Sequence, residues 1–216
     1  MKTWKRYKGY LLKGEWHIHT SYTDGRSSVA EYCKKAWDLH IPLIAFTEHV
    51  REDLSYSFDK FLRDIEKARD VFPEIIILSG CEAKVLPDGE LDVSEENLRK
   101  VDYPIFAFHS FPPEFDLYLK CLRKVIKNEF INAWAHPGLF LKKHNLEMDD
   151  GTLIDILRLV GENDVLLEVN RKYDLPPKYW SDFIGGMGIH VVRGSDIHSA
   201  SELSITDSIV SEVRSG

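Results

Sequence analysis

The sequence predicts an α/β fold in which short parallel strands alternate with helices along the chain. Seven short runs rich in Ile, Val, Leu or Phe alternate with segments whose apolar residues recur at helical spacing. Such runs are typical of strands that are buried on both faces, as in parallel sheets covered by helices. Chemistry-bearing side chains follow most of these runs, which is the pattern of an α/β active site. Spacing alone leaves two architectures open, a closed barrel and an open sheet.

The predicted elements follow one another in a strand-then-helix rhythm. The strands are Trp16–His19, Leu43–Thr47, Ile75–Leu78, Pro104–Phe108, Ile131–Ala135, Val165–Val169 and Ile189–Val192. Helical spacing of apolar residues predicts helices that begin near Val29, Phe58, Phe115 and Leu153. Ser28 and Glu31 have the spacing of a capping box before the first helix. Asp88-Gly89 predicts a tight turn within a small excursion of the chain.

Length and composition indicate one globular domain with a full core. The chain has 216 residues, of which 44% are hydrophobic and 29% charged. A chain of this length buries roughly 70% of its unfolded surface. We therefore expect a single domain over residues 1–216, with residues 1–13 as an N-terminal extension. The net charge of −7 disfavours long nucleic acid as a partner, because its binding depends on clustered Lys and Arg.

Cysteine usage and hydropathy predict a cytoplasmic protein that does not enter a membrane. Cys33, Cys81 and Cys121 are widely spaced and include no CxxC pair, which favours reduced structural thiols. No apolar run is long enough to span a bilayer, and none behind the N-terminus has the form of a signal peptide.

Histidines and carboxylates gather at the carboxyl ends of the predicted strands. They are His17, His19, Asp24, Glu48, His49, Glu82, His109, His136, Asp196 and His198. His17 and His19 are two residues apart on one strand, so their side chains point to the same face. A cluster of imidazoles and carboxylates is costly to bury unless a cation holds it together. We therefore predict a metal site, and His plus carboxylate ligands without Cys favour Zn, Fe or Mn.

Six motifs, taken in order, resemble those of the PHP (polymerase and histidinol phosphatase) superfamily. They are Trp16-His17-Ile18-His19 followed by Asp24, Phe46-Thr47-Glu48-His49, Gly80-Cys81-Glu82-Ala83, Phe108-His109-Ser110, Ala135-His136-Pro137 and Gly194-Ser195-Asp196-Ile197-His198. The resemblance extends from Lys13 to Ser199. It implies a distorted (β/α)7 barrel with three divalent metal ions at the C-terminal ends of the strands.

The resemblance also implies a set of ligands for each ion. The first ion would take His17, His19, Glu82 and Asp196. The second would take Glu82 as a bridging ligand, together with His109 and His136. The third would take Asp24, His49 and His198. Many small members of the family carry a histidine near the position of Asp24, so the third site departs from the family pattern. Glu48 matches a position that orients a ligand or a water.

A PHP-type site implies a metal-dependent phosphoesterase that hydrolyses a small phosphate monoester through a metal-bridging hydroxide. Three divalent ions against three carboxylates leave a positive cavity, which attracts a phosphate dianion even on an acidic protein. Asp196 and His198 are the candidate general acids for the leaving oxygen. Arg51, Arg171 and Asn170 follow strand ends and are the candidate substrate-binding residues.

The sequence is also compatible with other functions. Histidinol phosphate is one candidate substrate because Phe46–His49 resembles a motif of the histidinol phosphatases; nucleotide-derived substrates and exonuclease activity are others. A non-catalytic, metal-stabilised binding module predicts missing ligands, whereas every ligand position here carries a competent residue. A metallohydrolase of the amidohydrolase type also begins with a His-x-His strand. That group uses eight strands and usually a bridging Lys, where this chain has Glu82.

Overall fold

Seven parallel strands form one sheet whose order in space follows their order in the chain. The structure, a computed structural model, describes residues 1–205. The strands are β1 (Glu15–Ile18), β2 (Leu43–Val50), β3 (Ile76–Lys84), β4 (Tyr103–Ala107), β5 (Ala133–Trp134), β6 (Leu166–Val169) and β7 (Val191–Arg193). Every neighbouring pair is parallel, and parallel neighbours require a crossover connection between them.

Helices occupy most of these connections. They are α1 (Val29–Asp38), α2 (Phe58–Val71), α3 (Glu95–Arg99), α4 (Phe115–Val125), α5 (Leu139–His144), α6 (Asp150–Glu162) and α7 (Ser181–Gly186), with 3-10 segments at Thr3–Tyr10, Lys178–Trp180 and Ala200–Glu202. The predicted capping box is confirmed: Ser28 Oγ accepts from Glu31 N at 3.3 Å, and Glu31 Oε2 accepts from Ser28 N at 2.7 Å. Within residues 1–205, none of the helices combines the length and the apolar character needed to cross a membrane.

The sheet curls until its first strand meets the chain that follows its last strand. Ile18 and Ile197 form a parallel bridge, in which His19 N donates to Ile197 O at 2.9 Å and Ile197 N to His17 O at 3.2 Å. This contact closes the sheet into a nearly complete barrel. The predicted seven-stranded barrel is therefore confirmed, and the open sheet is excluded.

A buried carboxylate reinforces this seam. Glu15 is fully buried at the start of β1 and accepts from Ser195 N at 2.7 Å and from Ser195 Oγ at 2.8 Å. Arg193 Nη2 lies 3.4 Å from Glu15 Oε2 and donates to Ser204 O at 2.7 Å. Side-chain hydrogen bonds therefore complete the closure that a short strand pairing begins.

The two faces of a strand pack into different parts of the core, one inside the barrel and one against the helices. On β2, Leu43 and Ala45 pack inside the barrel, while Ile44 and Phe46 pack against α1 and α2 outside it. The inner face alternates by two residues, so the same row reaches His49 at the carboxyl end of β2. On β3, the corresponding row runs from Leu78, inside the barrel, to Glu82. The barrel interior is therefore apolar at its base and carries imidazole and carboxylate at its carboxyl end.

Candidate metal centre

Glu82 is the centre of the polar cluster at the carboxyl end of the barrel. Its side chain is fully buried at the end of β3. Histidines from four other strand ends surround its carboxylate, with His49 Nδ1 at 2.9 Å, His109 Nε2 at 3.1 Å, His136 Nε2 at 2.9 Å and His17 Nε2 at 3.6 Å. One carboxylate is thus shared by four imidazoles, which is the arrangement expected of a bridging ligand.

His17 and His19 lie side by side at the buried end of the cluster. Their Nε2 atoms are 3.0 Å apart. Asp196 Oδ1 lies 3.1 Å from His19 Nε2 and 3.6 Å from His17 Nε2. Around a tetrahedral zinc ion, with bonds of about 2.0–2.1 Å, ligand atoms are separated by roughly 3.3 Å. The observed separations fit a shared ion among these three residues and Glu82.

A second part of the cluster is open to solvent. Asp24 Oδ2 lies 3.5 Å from His49 Nε2 and 3.3 Å from His198 Nε2. The Asp24 side chain is 56% exposed, whereas those of His49 and His198 are each 23% exposed. The cluster therefore has a buried end and an accessible end, and a ligand can approach at the accessible one.

Three groups of side chains have ligand atoms close enough to hold a metal ion. They are His17, His19 and Glu82; His49, Glu82 and His109; and His19, Asp24, His49 and His198. The structure brings all nine predicted ligands together, although each of the three groups departs from the predicted set of ligands. His49 faces Glu82 through Nδ1 and Asp24 through Nε2, so it stands between two groups. His136 contacts Glu82 from the other side, at Oε1.

Several atoms of the cluster are buried without any hydrogen-bond partner. They are His19 Nδ1, His49 Nδ1, His109 Nε2 and Glu82 Oε2. His49 and His109 lie near Glu82 Oε2, but their geometry is not that of a hydrogen bond. Polar atoms buried in this way are costly and rare in native proteins. The residues fit a metal centre, because a cation among these lone pairs would satisfy them together.

The pKa shifts within the cluster also indicate a positive charge among its carboxylates. Burial alone would raise the pKa of Glu82, but the imidazoles of His109 and His17 hold that pKa well below its usual range. Burial likewise opposes a positive charge on His17, yet Glu168 and Glu82 raise its pKa to about 10. Burial lowers the pKa of His19 to about 4, which leaves a neutral ligand at pH 7. The buried carboxylates are therefore stabilised by a neighbouring positive charge, which either a protonated His17 or a metal ion can supply.

Glu168, at the end of β6, orients two of the histidines. Its Oε2 lies 2.6 Å from His17 Nδ1, and its Oε1 accepts from His136 N at 3.2 Å. A carboxylate on one ring nitrogen fixes the tautomer that presents the other nitrogen to a metal. The contact with His136 N also holds a backbone whose φ of +32° is unusual for a residue with a side chain. Glu168 falls near the end of the predicted strand Val165–Val169, but the sequence alone does not assign it this role.

We predict that Gly194→Ala weakens metal binding by roughly 10–100-fold, as expected when the partner of a metal-bound histidine is displaced. A Cβ at residue 194 would lie 2.6 Å from the carboxyl carbon of Glu168, so the carboxylate would have to leave His17. Competition with a chromophoric chelator measures the affinity. Gly185→Ala is the matched control, because a Cβ at Gly185 meets nothing within 4 Å. Unchanged affinity in Gly194→Ala would contradict the role of Glu168.

Glu48 fixes the loop that carries Asp24. Its Oε1 accepts from Thr20 N at 2.5 Å, and Thr23 Oγ1 donates to its Oε2. Gly25 completes the loop, because a Cβ there would lie 2.3 Å from His19 O. These contacts place Glu48 beneath the loop, where it positions Asp24 through the backbone.

The predicted substrate-binding residues lie in different settings. Arg51 lines a cleft of about 260 Å³ that also includes Asp24, His49 and Tyr56. Its Nε lies 3.8 Å from Asp92 Oδ2. Arg171 is exposed on the loop after β6.

Asn170 is buried and its amide is used within the chain. Its Nδ2 donates to Glu168 Oε1 at 2.6 Å, and its Oδ1 accepts from Tyr173 N at 3.2 Å. These contacts shape the loop and support Glu168, while contact with substrate stays a prediction.

Two further residues at the site carry no signal in the sequence. Lys172 Nζ donates to Asp196 Oδ2 at 3.0 Å, and Tyr173 OH donates to the same oxygen at 2.9 Å. Their partner lies more than twenty residues away, and Lys and Tyr are ordinary loop residues. Glu15 was also missed, although a charged residue two positions before His17 in a buried strand is a usable signal.

Known proteins share both the sequence pattern and the fold. A family model described as "PHP domain" matches residues 15–172. The chain belongs to this family. Among the relatives of this chain, a probable phosphatase of Acetivibrio thermocellus is 25% identical over 205 residues, which cover 89% of this chain and 82% of that protein. The DNA polymerase/3'-5' exonuclease PolX of Bacillus subtilis is 26% identical over 217 residues; the match covers 95% of this chain but 37% of the polymerase.

A solved structure has the same architecture. The histidinol phosphate phosphatase of Lactococcus lactis superimposes with a TM-score of 0.69 over 88% of each chain, at 20% sequence identity. That crystal structure is a complex with zinc, L-histidinol and phosphate. At this identity the likeness establishes the fold.

Proposed function

We propose that this protein is a metal-dependent phosphoesterase that hydrolyses a small phosphate monoester at a centre of up to three divalent ions. The carboxylate of Glu82, fully buried and ringed by four imidazoles, is the observation that carries the proposal. Membership of the PHP family and the probable phosphatases among its relatives support the reaction class.

Divalent ions held here would lower the pKa of a coordinated water towards about 7 and polarise phosphoryl oxygens. His17, His19, Glu82 and Asp196 would hold the ion at the buried end. Glu82, His49, His109 and His136 would surround the next, and Asp24, His49 and His198 would complete the accessible end. Zinc, manganese and iron all suit this donor set.

The chain's own residues would bind and orient the substrate at the accessible end. A phosphoryl group would enter beside Asp24 and His198, where the cluster reaches solvent. The Arg51 guanidinium lines the adjoining cleft and would contact a phosphoryl oxygen or the leaving group. A cleft of about 260 Å³ suits a small leaving group.

His198, one of the two candidate acids for the leaving oxygen, presents its Nε2 to the accessible end of the cluster. Its Nδ1 lies 2.9 Å from Asp196 O, which can only accept, so this nitrogen carries a proton. Asp196 has one oxygen against the histidine pair and the other against Lys172 and Tyr173. We therefore assign both residues to metal binding, because neither directs a proton at the leaving oxygen while ions are bound.

The test is inorganic phosphate release from a panel of monoesters that includes histidinol phosphate and nucleoside monophosphates. Protein is stripped with a chelator and reloaded with Mn, Zn or Fe. We expect metal-dependent release that His49→Ala reduces by roughly 10²–10³-fold, since each ligand supports several kcal/mol of charge stabilisation. His144→Ala is the matched control, because this exposed histidine lies on α5 outside the cluster.

Three results separate the alternatives. Release of inorganic phosphate from histidinol phosphate alone would identify the protein as a histidinol-phosphate phosphatase. Release of mononucleotides from a single-stranded oligonucleotide, with no inorganic phosphate released from any monoester, would replace the phosphatase with an exonuclease. No release from folded, metal-loaded protein would overturn the catalytic proposal in favour of a metal-stabilised binding module.

A further inference from the structure

The loop that follows β6 projects two donors onto one carboxylate of the metal centre. Asn170 and Leu175 pair through their backbones in both directions, N to O at 2.8 Å and 3.0 Å. Asn170 Oδ1 also accepts from Tyr173 N, which ties the middle of the loop to its base. The loop between these ends is therefore short and internally braced, and it fixes where Lys172 and Tyr173 can reach.

Both side chains converge on the same oxygen of Asp196. Lys172 Nζ and Tyr173 OH donate to Asp196 Oδ2 at 3.0 Å and 2.9 Å. Lys172 Nζ also donates to Asp196 O at 3.0 Å. The Asp196 backbone has a φ of +50°, a conformation that a residue with a side chain adopts only when its surroundings hold it. The lysine therefore restrains both the backbone and the carboxylate of one residue.

The remaining oxygen of Asp196 faces the buried histidines. Oδ1 lies 3.1 Å from His19 Nε2 and 3.6 Å from His17 Nε2. A free carboxylate can rotate and can bind a cation through one oxygen or through two. With Oδ2 held by an ammonium and a phenol, only Oδ1 is left for the histidine side.

We propose that Lys172 and Tyr173 are positioning residues that hold Asp196 so that it offers a single oxygen, Oδ1, to an ion shared with His17 and His19. This inference rests on the proposed function, because it requires a metal ion at the buried end. Neither residue touches the ion. They act through Asp196, as the hydrogen-bond partners of a metal-binding carboxylate generally do.

The test compares metal affinity in variants of the full chain. Tyr173→Phe removes one donor to Oδ2 and keeps the ring, which lies 5.8 Å from the His136 ring. Lys172→Gln removes the charge, and Lys172→Arg keeps it. Lys142→Ala is the matched control, since Lys142 Nζ donates to Tyr173 O at 2.8 Å and so braces the same loop without touching Asp196.

Affinity is measured by titrating metal-free protein with Zn²⁺ in competition with a chromophoric chelator, and bound metal is counted by mass spectrometry. We expect Tyr173→Phe and Lys172→Gln to weaken one zinc equivalent by roughly 10–100-fold. Lys172→Arg should recover part of that loss, and Lys142→Ala should bind like the unmodified protein. Thermal unfolding of the metal-free forms shows whether each variant is folded.

The outcomes distinguish this proposal from the one on which it rests. If the unmodified protein binds zinc and both variants bind it equally well, the positioning role is overturned while the metal centre stands. An equal loss in Lys142→Ala would also overturn it, because the loop would then act through general stability. If the unmodified protein binds no zinc, manganese or iron, the proposed function is itself overturned.

Discussion

Glu82→Gln is expected to lower kcat/KM for phosphate release by about 10³-fold, which corresponds to about 4 kcal/mol of transition-state stabilisation. The substitution preserves the shape of the side chain but replaces a shared anion with a neutral amide. The imidazoles around it would then face one another without a central negative charge. Its metal content should fall together with activity, since Glu82 belongs to two of the three ligand groups.

Phosphate release and bound metal are to be measured on the same preparations. Glu90→Gln is the matched control, because Glu90 is an exposed glutamate in the excursion after β3, paired with Lys124 at 2.6 Å. Full activity and full metal content in Glu82→Gln would remove the bridging role from Glu82. If Glu82→Gln kept its metal but lost activity, Glu82 would be needed for the reaction and not for metal binding.

Glu15→Ala is expected to destabilise the metal-free protein by roughly 3–5 kcal/mol, because it leaves the buried guanidinium of Arg193 without its carboxylate. The backbone N–H and hydroxyl of Ser195 would lose their acceptor as well. For a chain of this size, that loss lowers the melting temperature by about 10 °C. Glu15→Gln should cost less, since an amide oxygen still accepts from Ser195.

Thermal and urea unfolding of the metal-free proteins measure this effect. Asp155→Ala is the matched control: its ion pair with Arg158, at 2.9 Å, is exposed on α6, where such pairs contribute under about 1 kcal/mol. Equal melting temperatures for Glu15→Ala and Asp155→Ala would mean that the barrel seam does not depend on Glu15.

The fold was largely predictable because its signals are local. Each strand appears as a short apolar run, and a (β/α) rhythm leaves few arrangements for such runs. The spacing of the predicted strands did not show whether the sheet closes into a barrel. Closure depends on the bridge between Ile18 and Ile197 and on Glu15. A two-residue strand such as β5 is also too short for a periodic pattern, so its ends could not be predicted from the sequence.

The candidate site was predictable where its residues share a position relative to strands. His17, His49 and His109 lie at strand ends, and parallel topology brings such ends together. The supporting residues follow no such rule. Glu168 acts on His17, 151 residues earlier in the chain, and Lys172 acts on Asp196 from an irregular loop. Their roles depend on side-chain orientation, which a single sequence does not encode in a readable pattern.

The joining of the two ends of the barrel has a consequence for the order of folding. Glu15 meets Ser195 across 180 residues of sequence, and His198 meets Asp24 across 174. Closing so long a loop is entropically costly while the intervening chain is disordered, so we expect these contacts to form late. The ion proposed for the buried end would need ligands from both ends of this path. We therefore expect high-affinity metal uptake to report the last step of folding, and a metal ion added during refolding to stabilise only molecules whose first and last strands have already met.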